Sequence, residues 1–179
     1  IVSNAFQTNG QLIDEEWAEL LGTYRFLVGL SIDGPADIHD AQRVDRRGGG
    51  SLEKAIRASK LFDKHHVEYN ILTVIHRGNE DRAREIFQWR IAQGWRHLQY
   101  IPCVEVDDAG RVRDYSVTPE GYGRFLCDLW QAYRDSGLTD VGIRDFDSFL
   151  TQKVLGRATT CVYSDRCGDY LLIKPDGGI

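Results

Sequence analysis

Phe26-Leu-Val-Gly-Leu-Ser-Ile-Asp33-Gly-Pro-Ala-Asp-Ile-His39-Asp-Ala-Gln-Arg43 begins as an almost unbroken apolar run and ends in polar and charged residues. Such a run predicts a strand buried on both faces of a parallel sheet. In α/β folds the loops that follow the carboxyl ends of parallel strands converge on one face, and ligands bind there. Ser31, Asp33, Gly34 and Pro35, then His39 and Arg43, stand at that switch and are candidates for holding a ligand. On the residues alone, Asp33-Gly34-Pro35 reads equally well as a turn, and Arg43 as a solvated loop cation.

On the amino side, Ile1 to Gly10 predicts a strand closing in the polar turn Gln7-Thr8-Asn9-Gly10. Asp14 is placed to cap a helix with Trp17, Leu20 and Leu21 as its apolar positions and Gly22 as its stop. On the carboxyl side a loop runs to Gly48-Gly49-Gly50, and Ser51 starts a helix with Leu52, Ala55, Ile56 and Phe62 on one face. Val67 to Ile75, rich in β-branched and aromatic residues, predicts the next strand. Asn79 is placed to cap a helix whose stripe is Ala83, Ile86, Phe87 and Ile91, ending at Gly94. His97 to Pro102 is a fourth strand, leading into Cys103 and Val104. This alternation is βαβ construction, which implies a parallel sheet with right-handed crossovers.

The alternation then stops. Val106 to Val117 reads as a polar connector, and Thr118-Pro119-Glu120 as a helix start. Tyr122, Phe125, Leu126, Leu129, Trp130 and Tyr133 follow at helical spacing up to Gly137, with Cys127 read as a small hydrophobe among them. A shorter helix is predicted from about Asp145 to Leu155, before Gly156. The tail holds Cys161 and Cys167, and Tyr170 to Gly177 carries a hairpin signal around Pro175-Asp176-Gly177. Four strands and three helices do not close the usual circle of eight, so the sheet is either open or part of a barrel.

Composition narrows the function classes. The chain has 179 residues, 42% of them hydrophobic and 27% charged, which is globular rather than disordered. A net charge of -5 argues against a general nucleic-acid binder, which needs a basic face. No apolar run reaches the roughly 20 residues that span a bilayer, so no membrane partner is expected. Four cysteines without a repeat pattern do not make a secreted disulfide scaffold, which implies a reducing, cytoplasmic setting. No Met occurs, even at position 1, so the chain is expected to be a segment of a longer one.

Three blocks together carry a resemblance to a known family: Phe6-Gln-Thr-Asn-Gly10, Phe26 to Pro35 with the spaced His39 and Arg43, and Cys161-x5-Cys167-Gly-Asp with Pro175-Asp-Gly. The sequence resembles radical S-adenosyl-L-methionine (AdoMet) enzymes of the anaerobic sulfatase-maturating type over nearly its whole length. The resemblance implies a partial (β/α)6 barrel, of which strands 3 to 6 are present, then helices and the start of a SPASM-type cysteine-rich region. Its boundaries would be 1–105 for the barrel part, 106–156 for the connector and helices, and 157–179 for the cluster region. It implies that Ser31 and Arg43 hold the methionyl end of AdoMet, with Gln7 facing the same cavity and Val104 giving backbone contacts to the adenine. Asp33 and His39 would shape the loop. Cys161 and Cys167 would be two thiolate ligands of an auxiliary [4Fe–4S] cluster. The implied reaction oxidises a Cys or Ser of a sulfatase to formylglycine, with an electron donor such as flavodoxin or ferredoxin as a further partner.

The family's Cys-x3-Cys-x2-Cys motif, which binds the AdoMet-cleaving cluster, is absent, as is the Cys-Asp pair whose Asp is the family's expected base. The 179 residues by themselves are therefore expected to be inactive. Three other readings stand beside the first. A related radical AdoMet peptide-modifying enzyme, forming a thioether or an epimer, would use the same residues. A non-catalytic α/β binding module would lack the cysteine motif altogether. A zinc site at Cys161 and Cys167 would need two further ligands, and none lies close in sequence.

Overall fold

The computed structural model describes residues 3–157, 159, 160, 164 and 171–178. They group into two compact units, Ile1–Gly142 and Ile143–Ile179.

The sheet has the strand order β1 to β5: β1 Ala5–Thr8, β2 Leu27–Ser31, β3 Glu68–Ile75 and β4 His97–Pro102 lie within the first unit, and β5 Gly142–Ile143 begins at that unit's last residue. The pairings of β1 with β2, β2 with β3 and β3 with β4 are all parallel, as βαβ alternation requires. β5 adds a fifth strand to the four expected; two residues carry no periodicity to read.

Register makes the two sheet faces chemically different, because successive side chains point to opposite sides. Val28, Leu30 and Ile32 of the β2 segment share one face with Ile71, Thr73 and Ile75 of β3 and with Leu98 and Tyr100 of β4. All are at most 2% exposed. Helices α1 Glu15–Thr23, α3 Leu52–Lys64, α4 Ala83–Ala92 and α5 Pro119–Ser136 follow the strands. α3 comes close enough to β2 that a Cβ on Gly10 would meet both Leu30 Cδ1 and Ala58 Cβ. Phe125 of α5 lies 5.4 Å from Tyr100, ring to ring, and its neighbour Tyr122 donates to the Tyr100 carbonyl at 2.9 Å.

The opposite face carries Gln7, Gly29 and Ser31, with Asn70 and Leu72 of β3 and Gln99 of β4 in register beside them. Ser31, Asn70 and Gln99 are half-buried and Gln7 is exposed. β2 is therefore not buried on both faces as its apolar run suggests; Leu27 is 42% exposed.

Four local expectations are corrected. The segment after Pro35 is not loop throughout: Ala36–Gln42 forms a short helix, α2, held by burial of Ile38 and His39. Gly22 does not stop α1, which ends at Thr23 with Tyr24 as cap; a Cβ there would sit 2.4 Å from the His65 carbonyl oxygen, so Gly22 marks a close approach of α1 to the end of α3. The buried positions of α1 are Ala18 and Leu21, while Trp17 and Leu20 are half exposed. Asn79 does not cap α4. Its Oδ1 accepts from His76 N–H and its Nδ2 donates to the Val74 carbonyl, which ties down the end of β3.

Other starts and stops follow the residues. Asp14 Oδ1 accepts from Trp17 N–H, and Thr118 Oγ1 from Gly121 N–H. Gly137 and Gly156 end their helices at φ 66°, the left-handed conformation that glycine adopts without a Cβ clash. The connector after β4 folds back on itself through an antiparallel bridge between Val106 and Val112. Cys127 is exposed on α5 rather than packed.

The second unit contains helix α6 Arg144–Leu155. A tight turn at 174–177 follows, with Gly177 N–H donating to the Lys174 carbonyl at 2.9 Å. Cys161 and Cys167 lie outside the described residues, and so do their expected roles.

Candidate functional site

The carboxyl end of β2 is where the chain concentrates polar groups. Asp33 is buried at the strand end, and its carboxylate takes three hydrogen bonds. Arg43 Nε donates to Oδ2 at 2.5 Å, Arg43 Nη2 to Oδ1 at 3.2 Å, and Val74 N–H to Oδ1 at 3.0 Å. The last bond clamps β2 to β3 just beyond Ser31. Arg43, at the C-terminal end of α2, is thus bound to the strand through two parallel charge-assisted bonds.

His39 and Ser51 complete the arrangement from behind. Asp33 N–H donates to His39 Nδ1 at 3.1 Å, which places the ring proton on Nε2. That nitrogen lies 3.1 Å from Ser51 Oγ, and Ser51 Oγ donates to the Arg43 carbonyl at 2.8 Å. Burial pushes the His39 pKa below the usual imidazole value, so the neutral ring fits its single-donor role.

Ser51 reaches this place because residues 44–50 form a small antiparallel excursion. Val44 bridges to Gly50, and Asp45 Oδ1 accepts from the N–H groups of Arg47 and Gly49. A Lys54 bond and those two amides hold the Asp45 carboxyl down at about 2.

The expected site residues are placed as follows. Gln7 is paired in register with Gly29, on the same sheet face as Ser31. Ser31 stands two residues before Asp33. Arg43 keeps Nη1 without a hydrogen bond among the described residues, and its side chain is 26% exposed. Val104, 63% exposed, stands on the lip of a hollow of about 570 Å3 between the end of β4 and the start of α5. Arg77, Arg113 and Tyr122 also line that hollow. A second hollow, of about 480 Å3, opens at the amino ends of β3 and β4, away from these groups.

Sequence reasoning missed Asn70, Gln99 and Ser51. Polar residues interrupting the apolar strands at even spacing were the available signal for the first two. It also missed Arg90, a helix cation that is fully buried. Arg90 Nη2 donates to the Ile32 carbonyl, and its guanidinium lies over the Tyr100 ring at 5.6 Å.

The donor set suits an amino-acid-bearing ligand: a guanidinium edge for a carboxylate, and hydroxyl and amide oxygens for an ammonium. The side chains of Gln7 and Ser31 have no hydrogen-bond partner among the described residues, which leaves both available. A metal is a different matter. Among the described residues no three His, Cys, Asp or Glu side chains group closely enough to hold one, and Cys103 and Cys127 are free thiols.

Comparison with known proteins places this arrangement in a family. No family model matches the chain. The chain is 35% identical over 182 residues to a cysteine-type anaerobic sulfatase-maturating enzyme of Clostridium perfringens, covering 99% of this chain and 49% of that protein. It is 32% identical over 179 residues to a serine-type enzyme of Klebsiella aerogenes, covering 98% and 44%. Among solved structures, native anSMEcpe with bound AdoMet superposes with a TM-score of 0.81 at 36% identity, over 89% of this chain and 44% of that one. The same protein with AdoMet and the Cp18Cys peptide gives the same TM-score. The chain spans about half the length of the curated relatives it matches. With enzymes of both the cysteine and the serine type aligning along nearly all of it, the chain belongs to the anaerobic sulfatase-maturating enzymes.

Proposed function

We propose that the protein carrying this chain oxidises a Cys or Ser side chain of a sulfatase to formylglycine, and that the strand ends described above hold its AdoMet. The observation that carries this reading is the trio Gln7, Ser31 and Arg43, with available polar atoms on or beside one sheet face, in a chain 36% identical to a structure with bound AdoMet. Arg43 Nη1 takes the ligand's carboxylate while Nε and Nη2 stay on Asp33. Ser31 Oγ and the Gln7 amide oxygen accept from its ammonium. The backbone at Val104 runs along the adenine. Leu72, on the same face and 6% exposed, supplies an apolar wall that excludes water.

Bound AdoMet, together with a reduced [4Fe–4S] cluster, supplies hydrogen abstraction from an unactivated C–H bond. Cys161 and Cys167 are proposed as ligands of an auxiliary cluster. The substrate is a sulfatase peptide, the electron donor a flavodoxin- or ferredoxin-type protein, and the setting cytoplasmic. No helix among the described residues is long and apolar enough to cross a membrane.

The test uses the whole protein, reconstituted with iron and sulfide, reduced, and given AdoMet and a sulfatase peptide with Cys or Ser at the modified position. An aldehyde on that residue, trapped with a hydrazine and located by mass spectrometry, supports the reading. Cluster-replete protein that cleaves AdoMet and leaves no aldehyde removes it.

A further inference from the structure

A serine immediately before a helix ordinarily turns its hydroxyl onto an amide of the first turn. Ser51, immediately before α3, does not. Asp40 of α2 does the capping instead: its Oδ1 accepts from Ser51 N–H at 2.7 Å and from Leu52 N–H at 2.9 Å. The Ser51 hydroxyl is thereby released, and it lies between His39 Nε2 and the Arg43 carbonyl. His39 and Ser51 are each 1% exposed.

The bonds close a ring: Asp33 N–H to His39, His39 to Ser51, Ser51 to the Arg43 carbonyl, and the Arg43 guanidinium back to the Asp33 carboxylate. Arg43 is gripped at both ends, its backbone by Ser51 and its guanidinium by Asp33. A long side chain held this way has lost its rotamer freedom before any ligand arrives.

We propose that His39 and Ser51 are positioning residues for AdoMet: they touch no ligand but fix Arg43 so that Nη1 meets the carboxylate without further ordering. This rests on the reading that Arg43 takes that carboxylate.

The test measures the AdoMet dissociation constant of the whole protein by equilibrium dialysis without reductant, for Ser51→Ala, His39→Asn, the double variant and Arg43→Ala. His39→Asn keeps an acceptor for Asp33 N–H but does not reach Ser51. Each single variant is expected to weaken binding about fivefold, the cost of ordering one long side chain on binding. The double variant should be no weaker than either single one, because both cut the same chain. The Arg43 Nε–H resonance, in slow solvent exchange in the parent, should exchange faster in Ser51→Ala. Urea unfolding of each variant under the dialysis conditions, and exchange at backbone amides away from the site as a reference, separate these readings from a loss of stability alone. If Ser51→Ala binds like the parent while Arg43→Ala loses binding, the positioning role is wrong and the site stands. Parent-like binding by Arg43→Ala overturns the site reading and the positioning role with it.

Discussion

Asp33 and Arg43 meet as a fork, Nε 2.5 Å from Oδ2 and Nη2 3.2 Å from Oδ1, with the carboxylate side chain 3% exposed and the guanidinium 26%. The asymmetry is informative. Here the anion is sunk into the strand end, and the cation keeps one edge toward solvent, where a ligand can reach it. Asp33 also takes Val74 N–H, so the element that orients the cation is the element that joins β2 to β3.

Removing the fork geometry while keeping the charge separates these roles. Arg43→Lys offers one ammonium in place of three aligned N–H edges, so it cannot satisfy Asp33 and a ligand carboxylate together. AdoMet affinity is expected to fall by about 10- to 100-fold, the worth of a charge-assisted bond. Asp33→Asn keeps an acceptor for Val74 but turns an amide toward the guanidinium. It should cost about 2–3 kcal/mol in urea unfolding, under the roughly 3–5 kcal/mol of a fully buried pair because Arg43 is partly exposed. Unchanged AdoMet affinity in Arg43→Lys would remove Arg43 from the site.

Gly50 tests how the loop that delivers Ser51 is built. A Cβ there would lie 2.3 Å from Asp40 Oδ2, and Asp40 cannot swing aside without releasing both amides at the start of α3. Gly50→Ala is expected to destabilise by about 1–3 kcal/mol, the usual range for overpacking. Gly48→Ala meets no atom but requires φ +79°, so its cost is backbone strain of about 1 kcal/mol and leaves Ser51 in place. Equal AdoMet affinity in the two variants would contradict this division.

The legible parts of this fold are those where one short stretch determines its own structure. β4 was readable to the residue, and α5 from Thr118-Pro119 to Gly137, because caps and periodicity are local. α2 was hidden: seven residues hold no full stripe, and the helix exists because Ile38 and His39 are buried by other elements. Asn79 misled because an Asn before a helix is a good cap, yet here its side chain satisfies the end of β3. Ser31, Asp33, His39 and Arg43 could be picked out together because they crowd one strand end. Ser51 could not, since its link to His39 depends on the turn of residues 44–50 bringing back a chain twelve residues on. The open face of the sheet was also illegible, because burial of β2 on one side or both depends on what lies beyond it.

Arg90 offers a stability prediction of the opposite sign from the usual core substitution. It is wholly buried, burial pushes its pKa down, and Nε and Nη1 find no hydrogen-bond partner among the described residues. Its one bond goes to the Ile32 carbonyl, which also accepts from Thr73 Oγ1 at 3.3 Å and stays satisfied without it. Arg90→Met, similar in length and apolar, should therefore lie within about 1 kcal/mol of the parent or above it, since a buried unpaired cation is costly. A loss of more than about 3 kcal/mol would show that its field on Asp33 outweighs its burial.

Two histidines, His39 buried and His76 half-exposed, set the pH dependence. His39 and His76 both have pKa values pushed below 6.5 by burial. For His39 burial is the largest cause, and the neighbouring charges pull both ways, Asp33 and Asp40 raising the value and Arg43 and Arg90 lowering it. A depressed histidine means that the unfolded chain takes a proton which the folded chain refuses. Stability is therefore full above 6.5, falls as pH drops from 6.5 to the folded value, and levels off below it for that group. The slope from His39 is at most about 1.4 kcal/mol per pH unit. The folded ring takes its proton only at the lower end of this window, where it loses the lone pair that Asp33 N–H requires, so AdoMet affinity should hold through the upper part of the window and decline at that lower end. His39→Asn should flatten most of the slope, leaving the smaller share of the half-exposed His76. Asp45, at about 2 when folded against 3.8 when free, contributes stability above 3.8 and loses it only as pH falls toward 2, well clear of the histidine window. Urea unfolding at half-unit steps from pH 4.5 to about 8 reads the upper window alone. An unaltered slope in His39→Asn would mean that the ring is not neutral in the folded state, and the tautomer that closes the ring of bonds on Arg43 would have to be abandoned.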